Sequence, residues 1–150
     1  TLTGKLFFIG AQMLTGVLPA WTRGDITPVP QNETLATLTR KLVKEDGEIN
    51  WKKPAKEIHQ MIKAFNPWPG CFTKWEGRRI RIVEGVPIDL NFDAETGAVV
   101  PLEKFGVAAG IKTGDGVLGL TVLQIEGGQP VNTEAFLRGR PSFIGATMQN

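Results

Sequence analysis

The chain has 150 residues, a formal net charge of +2, 41% hydrophobic residues and 21% charged residues. That suits one medium domain, or a smaller one with extra structure attached; at this length about 68–70% of the unfolded surface can be buried, so no disulfide or metal staple is required. A single cysteine, Cys71, excludes an internal disulfide and fits a reducing compartment. No apolar run approaches the ~20 residues of a membrane span, and the opening lacks the basic head and small-residue cleavage site of a signal peptide. The chain does not begin with Met, and the expectation is a piece of something longer.

Charge is unevenly placed. Residues 38–81 hold 11 Lys/Arg against 5 Asp/Glu, whereas residues 82–106 hold 1 against 5. A basic block beside an acidic one steers a polyanion toward one face. The plainer alternative is a solvated surface with uneven charge.

Residues 2–18 read as a helix. Leu2, Leu6, Ile9, Met13 and Val17 recur at three- and four-residue steps, Thr1 or Thr3 can cap the start, and Lys5 is the one charge in the run. So apolar a helix expects cover on more than one side. Residues 19–50 read as a connector, because Pro19, Gly24, Pro28 and Pro30 oppose regular helix. A connector of this length suits a linker between two bodies, or a strap across one. Asn32-Glu33-Thr34 spells a glycosylation sequon, discounted without a secretion signal.

Residues 54–65, PAKEIHQMIKAF, give the clearest helix. Pro54 suits a first turn, and Ala55, Ile58, Ile62 and Phe65 form one apolar stripe. Asn66-Pro67-Trp68-Pro69-Gly70 ends it, since residues before proline avoid the helical region. Trp68 is expected to plug a core, its direction set by the prolines. CFTKWEGRRIRIV then reads as a hairpin turning at Glu76-Gly77, with Ile80 and Ile82 alternating with Arg79 and Arg81. GAVV at 97–100, GVAAGIKT and VLGLTVLQI supply further strands, the last two separated by Gly114-Asp115-Gly116. Some five short strands without long intervening helices predict a mainly β fold: a small antiparallel OB-like barrel with flanking helices. A short helix over 133–138 would be capped by Asn132 and closed by Gly139.

Three motifs carry little chemistry. Gly114-Asp115-Gly116-Val117-Leu118-Gly119 has a phosphate-loop spelling, but LTVLQI follows it where the mechanism needs a helix N-terminus. Asp89, Asn91 and Asp93 alternate like a calcium loop, yet Ala94 and Val100 stand where Gly and Glu are required. His59 is the only histidine; it builds no metal site alone, and a surface or groove position suits it better than catalysis. No nucleophile constellation surrounds Ser142 either. No complete active site and no metal site are expected.

The basic block holds more promise. Lys52, Lys53, Lys56 and Lys63 lie on or beside the clear helix, and Lys74, Arg78, Arg79 and Arg81 lie on the hairpin. Sharing one face, they would form a stripe that holds phosphates without reading sequence. Trp51, Trp68 and Trp75 are candidates to stack on bases, although tryptophan here more often serves a core.

In order along the chain, KLVKEDGEINW, PAKEIHQMIKAFNPWPG, KTGDGVLGLTVLQIEGG and EAFLRGRP resemble the C-terminal part of the methionyl-tRNA formyltransferase family, with AFNPWPG the most telling piece. TLTGKLFFIGAQML and PVPQNET resemble the last helix of that family's catalytic domain and its linker. The resemblance implies formyl transfer from 10-formyltetrahydrofolate to methionyl initiator tRNA, with catalysis in an N-terminal domain and no cofactor held by this segment. It implies residues 1–20 as the end of the catalytic domain, 21–50 as linker and 51–150 as an OB-like tRNA-binding domain. By position it adds Lys41 and Lys44 to the phosphate-contacting set. The expected partners are the tRNA backbone and the N-terminal domain, without metal or membrane, in the cytoplasm. Two rivals stay open. One is the related barrel of folate-dependent sugar-amine formyltransferases and formyltetrahydrofolate hydrolase-dehydrogenases, serving a substrate other than RNA. The other is a purely structural accessory domain.

Overall fold

A computed structural model describes residues 1–149. Contacts divide the chain into two units, Thr1–Arg40 and Lys41–Asn150.

The first unit is one helix and an extended tail. Helix α1 spans Leu2–Thr22, and the Thr1 hydroxyl accepts a hydrogen bond from the Gly4 N–H at 3.3 Å. The helix runs past its expected end, through Pro19. Proline's missing N–H removes one rung near the last turn. The turn is retained because the Thr22 hydroxyl (3.0 Å) and the Arg23 N–H (3.3 Å) both donate to the Pro19 carbonyl. The added turn corrects the reading that no apolar run is long enough to span a membrane: α1 has 21 residues and passes that test by length and composition. None of its residues is buried within its own unit. The tail is equally open, with a single 3-10 turn over Glu33–Leu35, where Asn32 Oδ1 accepts from the Thr34 N–H at 3.0 Å.

The second unit begins with a 3-10 turn at Lys44–Gly47, secured by Asp46 Oδ2 accepting from the Val43 N–H at 2.8 Å. Helix α2 follows at Ala55–Ala64, one residue inside the expected bounds at each end. The strands are β1 (Cys71–Trp75), β2 (Arg78–Ile88), β3 (Val99–Pro101), β4 (Ala109–Lys112), β5 (Val117–Ile125) and β6 (Val131–Asn132), and helix α3 is Thr133–Gly139. All ladders are antiparallel, in the order β1-β2-β5-β4-β3, with the two residues of β6 pairing β5 beyond the end of β4. The sheet curls into a half-barrel of the OB-like kind, as the spacing of short strands predicts.

Local chemistry explains the turns. Glu76 and Gly77 both have positive φ (50° and 72°), the geometry of a two-residue hairpin turn, which joins β1 to β2. Strand β5 starts directly after Gly116, so Gly114-Asp115-Gly116 is a hairpin turn and not a phosphate loop. That turn also anchors α2. The Gly114 N–H donates to the carbonyls of Trp51 (2.9 Å) and Lys53 (3.2 Å), and the Ala55 N–H donates to the Asp115 carbonyl at 2.9 Å. Asn132 Oδ1 caps α3 by accepting from the Ala135 N–H at 2.8 Å.

The core fills the barrel. Ile58 and Ile62 of α2 meet Ile80, Ile82, Leu118, Leu120 and Leu123. Each such side chain contributes about 1.5–3 kcal/mol on burial. Trp75, Phe136 and Phe143 form an aromatic trio with centroid separations of 5.0–6.3 Å. A second small cluster of Val100, Leu102 and Val117 accepts Leu90, Phe92 and Ala94. This accounts for the calcium-like alternation: Asp89, Asn91 and Asp93 are the exposed alternate residues of a loop whose intervening side chains turn inward.

Trp68 departs from expectation. Trp51 and Trp75 are core residues, 1% and 7% exposed, but Trp68 is 57% exposed. Its loop closes on itself through the Gly70 N–H donating to the Phe65 carbonyl at 2.9 Å, which turns the segment outward. Asn66–Pro67 and Trp68–Pro69 are cis peptide bonds.

Candidate nucleic-acid interface

Helix α2 lies along β2, and its side chains meet the strand in order. Lys56 lies beside Pro87, Ile88 and Asp89 at one end. His59 is next, with Nδ1 2.8 Å from the Gly85 carbonyl. A carbonyl only accepts, so Nδ1 carries the proton and the ring is held with Nε2 free of that bond. Lys63 and Asn66 follow, beside Val83 and Glu84. Lys56, His59 and Lys63 are spaced i, i+3 and i+7, which puts them on one flank of the helix. His59 and Lys63 border an open groove of about 430 Å³, lined also by Gly85, Val86 and Thr121.

A bulge shapes that groove. The β2–β5 register shifts on both sides of Glu84, between Ile82 and Gly85. Such an irregularity re-aims side chains and frees a carbonyl from the ladder. Here the freed geometry brings the Gly85 carbonyl to His59. The shift also turns Glu84 outward beside Lys63, placing a carboxylate in the groove.

Arg79 and Arg81 occupy the outer row of β2. Arg79 pairs across to Lys74 on β1, and Arg81 to Phe72 on β1 and Gln124 on β5. Each is steadied by a neighbour. The Arg79 guanidinium lies 4.2 Å from the Phe72 ring centroid. Arg78 Nη2 donates to the Glu126 carbonyl at 2.9 Å. Arg81 Nη2 donates to the Pro67 carbonyl at 2.7 Å, joining the strand to the loop after α2. A guanidinium has five N–H donors, so these contacts orient the groups without exhausting them. Arg79, Arg81, Gln124 and Gly127 line a second open groove of about 190 Å³.

The remaining cations are placed differently. Lys74 lies 3.4 Å from Glu48 Oε1 in an ion pair that ties the segment before α2 to β1. Glu48 Oε1 has no other hydrogen-bond partner, so Lys74 is its one compensating charge among the described residues. Lys53 pairs with Glu57 one turn on. Glu57 is one position beyond Lys56, and so about 100° around the helix from it. Lys52 and Lys53 are exposed in the turn leading into α2, and Lys41 and Lys44 are exposed before it. The structure therefore gathers Lys56 and Lys63 in one row and Arg79 and Arg81 in another, linked at Pro67. It brings Lys41, Lys44, Lys52, Lys53 and Arg78 into neither row.

Cys71 is buried at the start of β1. Burial pushes its thiol up to about 11, and the positive charge of Arg81 opposes part of that rise.

Comparison with known proteins bears on what this surface serves. Residues 41–141 match the family described as formyl transferase, C-terminal domain. The chain belongs to that family. The relatives it matches are longer. A methionyl-tRNA formyltransferase of Chloroflexus aurantiacus is 38% identical over 138 residues, covering 92% of this chain and 44% of the relative. That of Roseiflexus castenholzii is 41% identical over 140 residues, covering 93% and 44%, and that of Bacillus pumilus 34% over 145 residues, covering 97% and 45%. The chain thus spans less than half the length of these relatives. Among solved structures, a HypX variant from Aquifex aeolicus superposes with a TM-score of 0.63 at 20% identity, covering 89% of this chain and 23% of that one. HypX in complex with tetrahydrofolic acid gives 0.59 at 21%, covering 84% and 22%. The HypX likeness is one of fold.

Some site residues escaped the sequence reading. Glu84, Asn66 and Thr121 line the groove and were not singled out. Gly85, a glycine inside a β-branched run, was the available sign of a bulge.

Proposed function

We propose that Lys41–Asn150 is the tRNA-binding accessory domain of a methionyl-tRNA formyltransferase. In this reading the enzyme moves the formyl group of 10-formyltetrahydrofolate onto the amino group of methionyl initiator tRNA, in the cytoplasm. Donor and chemistry belong to an N-terminal domain of the same enzyme. No residue of this chain is given a part in holding the folate or in the transfer. Its contribution is position: phosphates of the tRNA backbone settle along Lys56 and Lys63, continue to Arg79 and Arg81, and draw on the field of Lys41, Lys44, Lys52, Lys53 and Arg78. Such contacts fix orientation and carry no base information.

The observation behind this is the common flank of Lys56, His59 and Lys63 beside β2, with Arg81 of the second row reaching the Pro67 carbonyl just past the helix end. Sequence identity of 34–41% to methionyl-tRNA formyltransferases supports this reading.

The test is a titration of the full chain with initiator tRNA across salt. The expected result is a log–log plot whose affinity falls steeply and linearly, as counterions are released. Weak binding with little slope would sink the RNA reading and favour a barrel serving another substrate. In the same preparation no formyl-methionyl-tRNA should form from the folate donor; turnover by this chain alone would overturn the division of labour.

A further inference from the structure

Trp68 has no role in the phosphate track, yet its indole stands out in solvent. It is the most exposed large apolar residue described in the second unit: 57%, against 49% for Phe105 and 46% for Val43. Its backbone is hemmed by Pro67 and Pro69, whose rings fix their own φ and restrict the residue before each. The loop is closed at its base by the Gly70 N–H on the Phe65 carbonyl and clamped by Arg81 Nη2 on the Pro67 carbonyl, at 2.9 and 2.7 Å. The indole is thus presented on a rigid mount, and little backbone entropy remains to be lost on binding.

Its surroundings name the occupant. Arg81 braces the loop, and Lys63 and Asn66 stand where α2 runs into it. A flat apolar ring on a loop braced by Arg81, just past the helix end that carries Lys63 and Asn66, suits an unstacked nucleobase, whose face takes the ring while its phosphates take the cations. A protein partner fits less well, because seating it would strip water from Lys63 and Arg81 without supplying the phosphates that compensate them.

We infer that Trp68 is a stacking platform for one unpaired base of the bound RNA, set at the junction of the lysine and arginine rows. This rests on the tRNA reading above and adds a contact that the phosphate track does not contain.

The experiment compares the full chain with Trp68→Phe, Trp68→Leu and Trp68→Ala in titrations against an initiator tRNA transcript at several salt concentrations. Stacking predicts about a tenfold loss for Ala, a similar loss for Leu and near-native affinity for Phe, since every base has a π-face to offer an aromatic ring. The salt slope should stay unchanged, because no phosphate contact is removed. The fluorescence lost between wild type and Trp68→Phe should be quenched on RNA binding. Near-native affinity for Ala, or Leu matching Phe, overturns the platform while leaving the salt-dependent track intact. Failure of the wild type to bind tRNA overturns the tRNA reading and the platform together. Wild-type affinity for RNA in all variants, with Trp68 fluorescence shifting on addition of an N-terminal formyltransferase domain, would assign the indole to a protein contact instead.

Discussion

Trp51 and Thr73 are joined inside the barrel: indole Nε1 donates to the Thr73 hydroxyl at 3.1 Å, and that hydroxyl donates onward to the Gln149 carbonyl at 2.9 Å. The relay binds the segment before α2, the first strand and the chain's last residues. Both side chains are buried, so neither polar group has water as a substitute. Thr73→Val keeps the shape and removes the hydroxyl. It leaves the indole N–H and the Gln149 carbonyl unpaired, a loss of about 1–3 kcal/mol. Urea denaturation should show a lowered midpoint at constant m-value.

Gly114 is required by space. A Cβ there would collide with the Lys52 carbonyl, which is backbone and has nowhere to move. The same residue's N–H holds Trp51 and Lys53. Gly114→Ala must push the α2 entry away from the β4–β5 turn, at about 1–3 kcal/mol by analogy with overpacked cores. Gly77→Ala is a useful contrast, since a Cβ there meets nothing within 4 Å and only its positive φ of 72° resists the change. Thermal melts of the two variants should rank Gly114→Ala as the less stable.

Much of this was legible beforehand, for reasons of period and punctuation. α2 announced itself through Ala55, Ile58 and Ile62 at helical spacing, and the first hairpin through Glu76-Gly77 between alternating residues. The spacing of Lys56, His59 and Lys63 was likewise in the sequence, as was the i, i+4 pairing of Lys53 with Glu57. What stayed hidden depends on contacts between distant residues. Arg81 clamps Pro67 across 14 positions, and nothing local in either segment signals it. Without that clamp, Trp68 reads as one more core tryptophan. The far half of β2 was missed because its bulge breaks the alternation that marks a strand. α1 outran its expected end because the rung lost to Pro19 falls where few others depend on it.

Lys56 and Lys63 should dominate the response to neutralisation on α2. Lys63 lines the groove and Lys56 lies on the same helix flank beside Pro87 and Asp89, whereas Lys53 is occupied by Glu57. On the proposed tRNA reading, replacing both by Gln removes two phosphate contacts, each contributing about 0.7–0.9 to the salt slope. The double variant should flatten the log–log plot by roughly 1.5 and weaken tRNA binding at low salt, with folding unaffected at such exposed sites. Lys53→Gln should change the slope by less than half as much. Equal effects from Lys53→Gln and Lys63→Gln would mean that diffuse charge, and no defined row, attracts the RNA.

Cys71 ties stability to pH in the alkaline range. Burial raises the folded thiol to about 11, above its ordinary value of 9.0, with Arg81 holding the rise back. The folded chain therefore keeps the Cys71 proton over an interval in which the unfolded chain releases it. Between about pH 9 and 11 the folded state binds more protons, so this group's stabilisation, complete below pH 9, declines as pH rises. Cys71→Ala abolishes the effect, and the difference in urea midpoint between wild type and variant should narrow steadily across that window. The same burial predicts slow modification: at pH 8 an aromatic disulfide reagent should label Cys71 only as fast as the barrel opens, and adding urea should accelerate labelling in step with unfolding. Removing the opposing charge with Arg81→Gln should leave the onset near pH 9 and extend the decline beyond about pH 11, while a decline ending at unchanged pH would show that Arg81 exerts no field on the thiol.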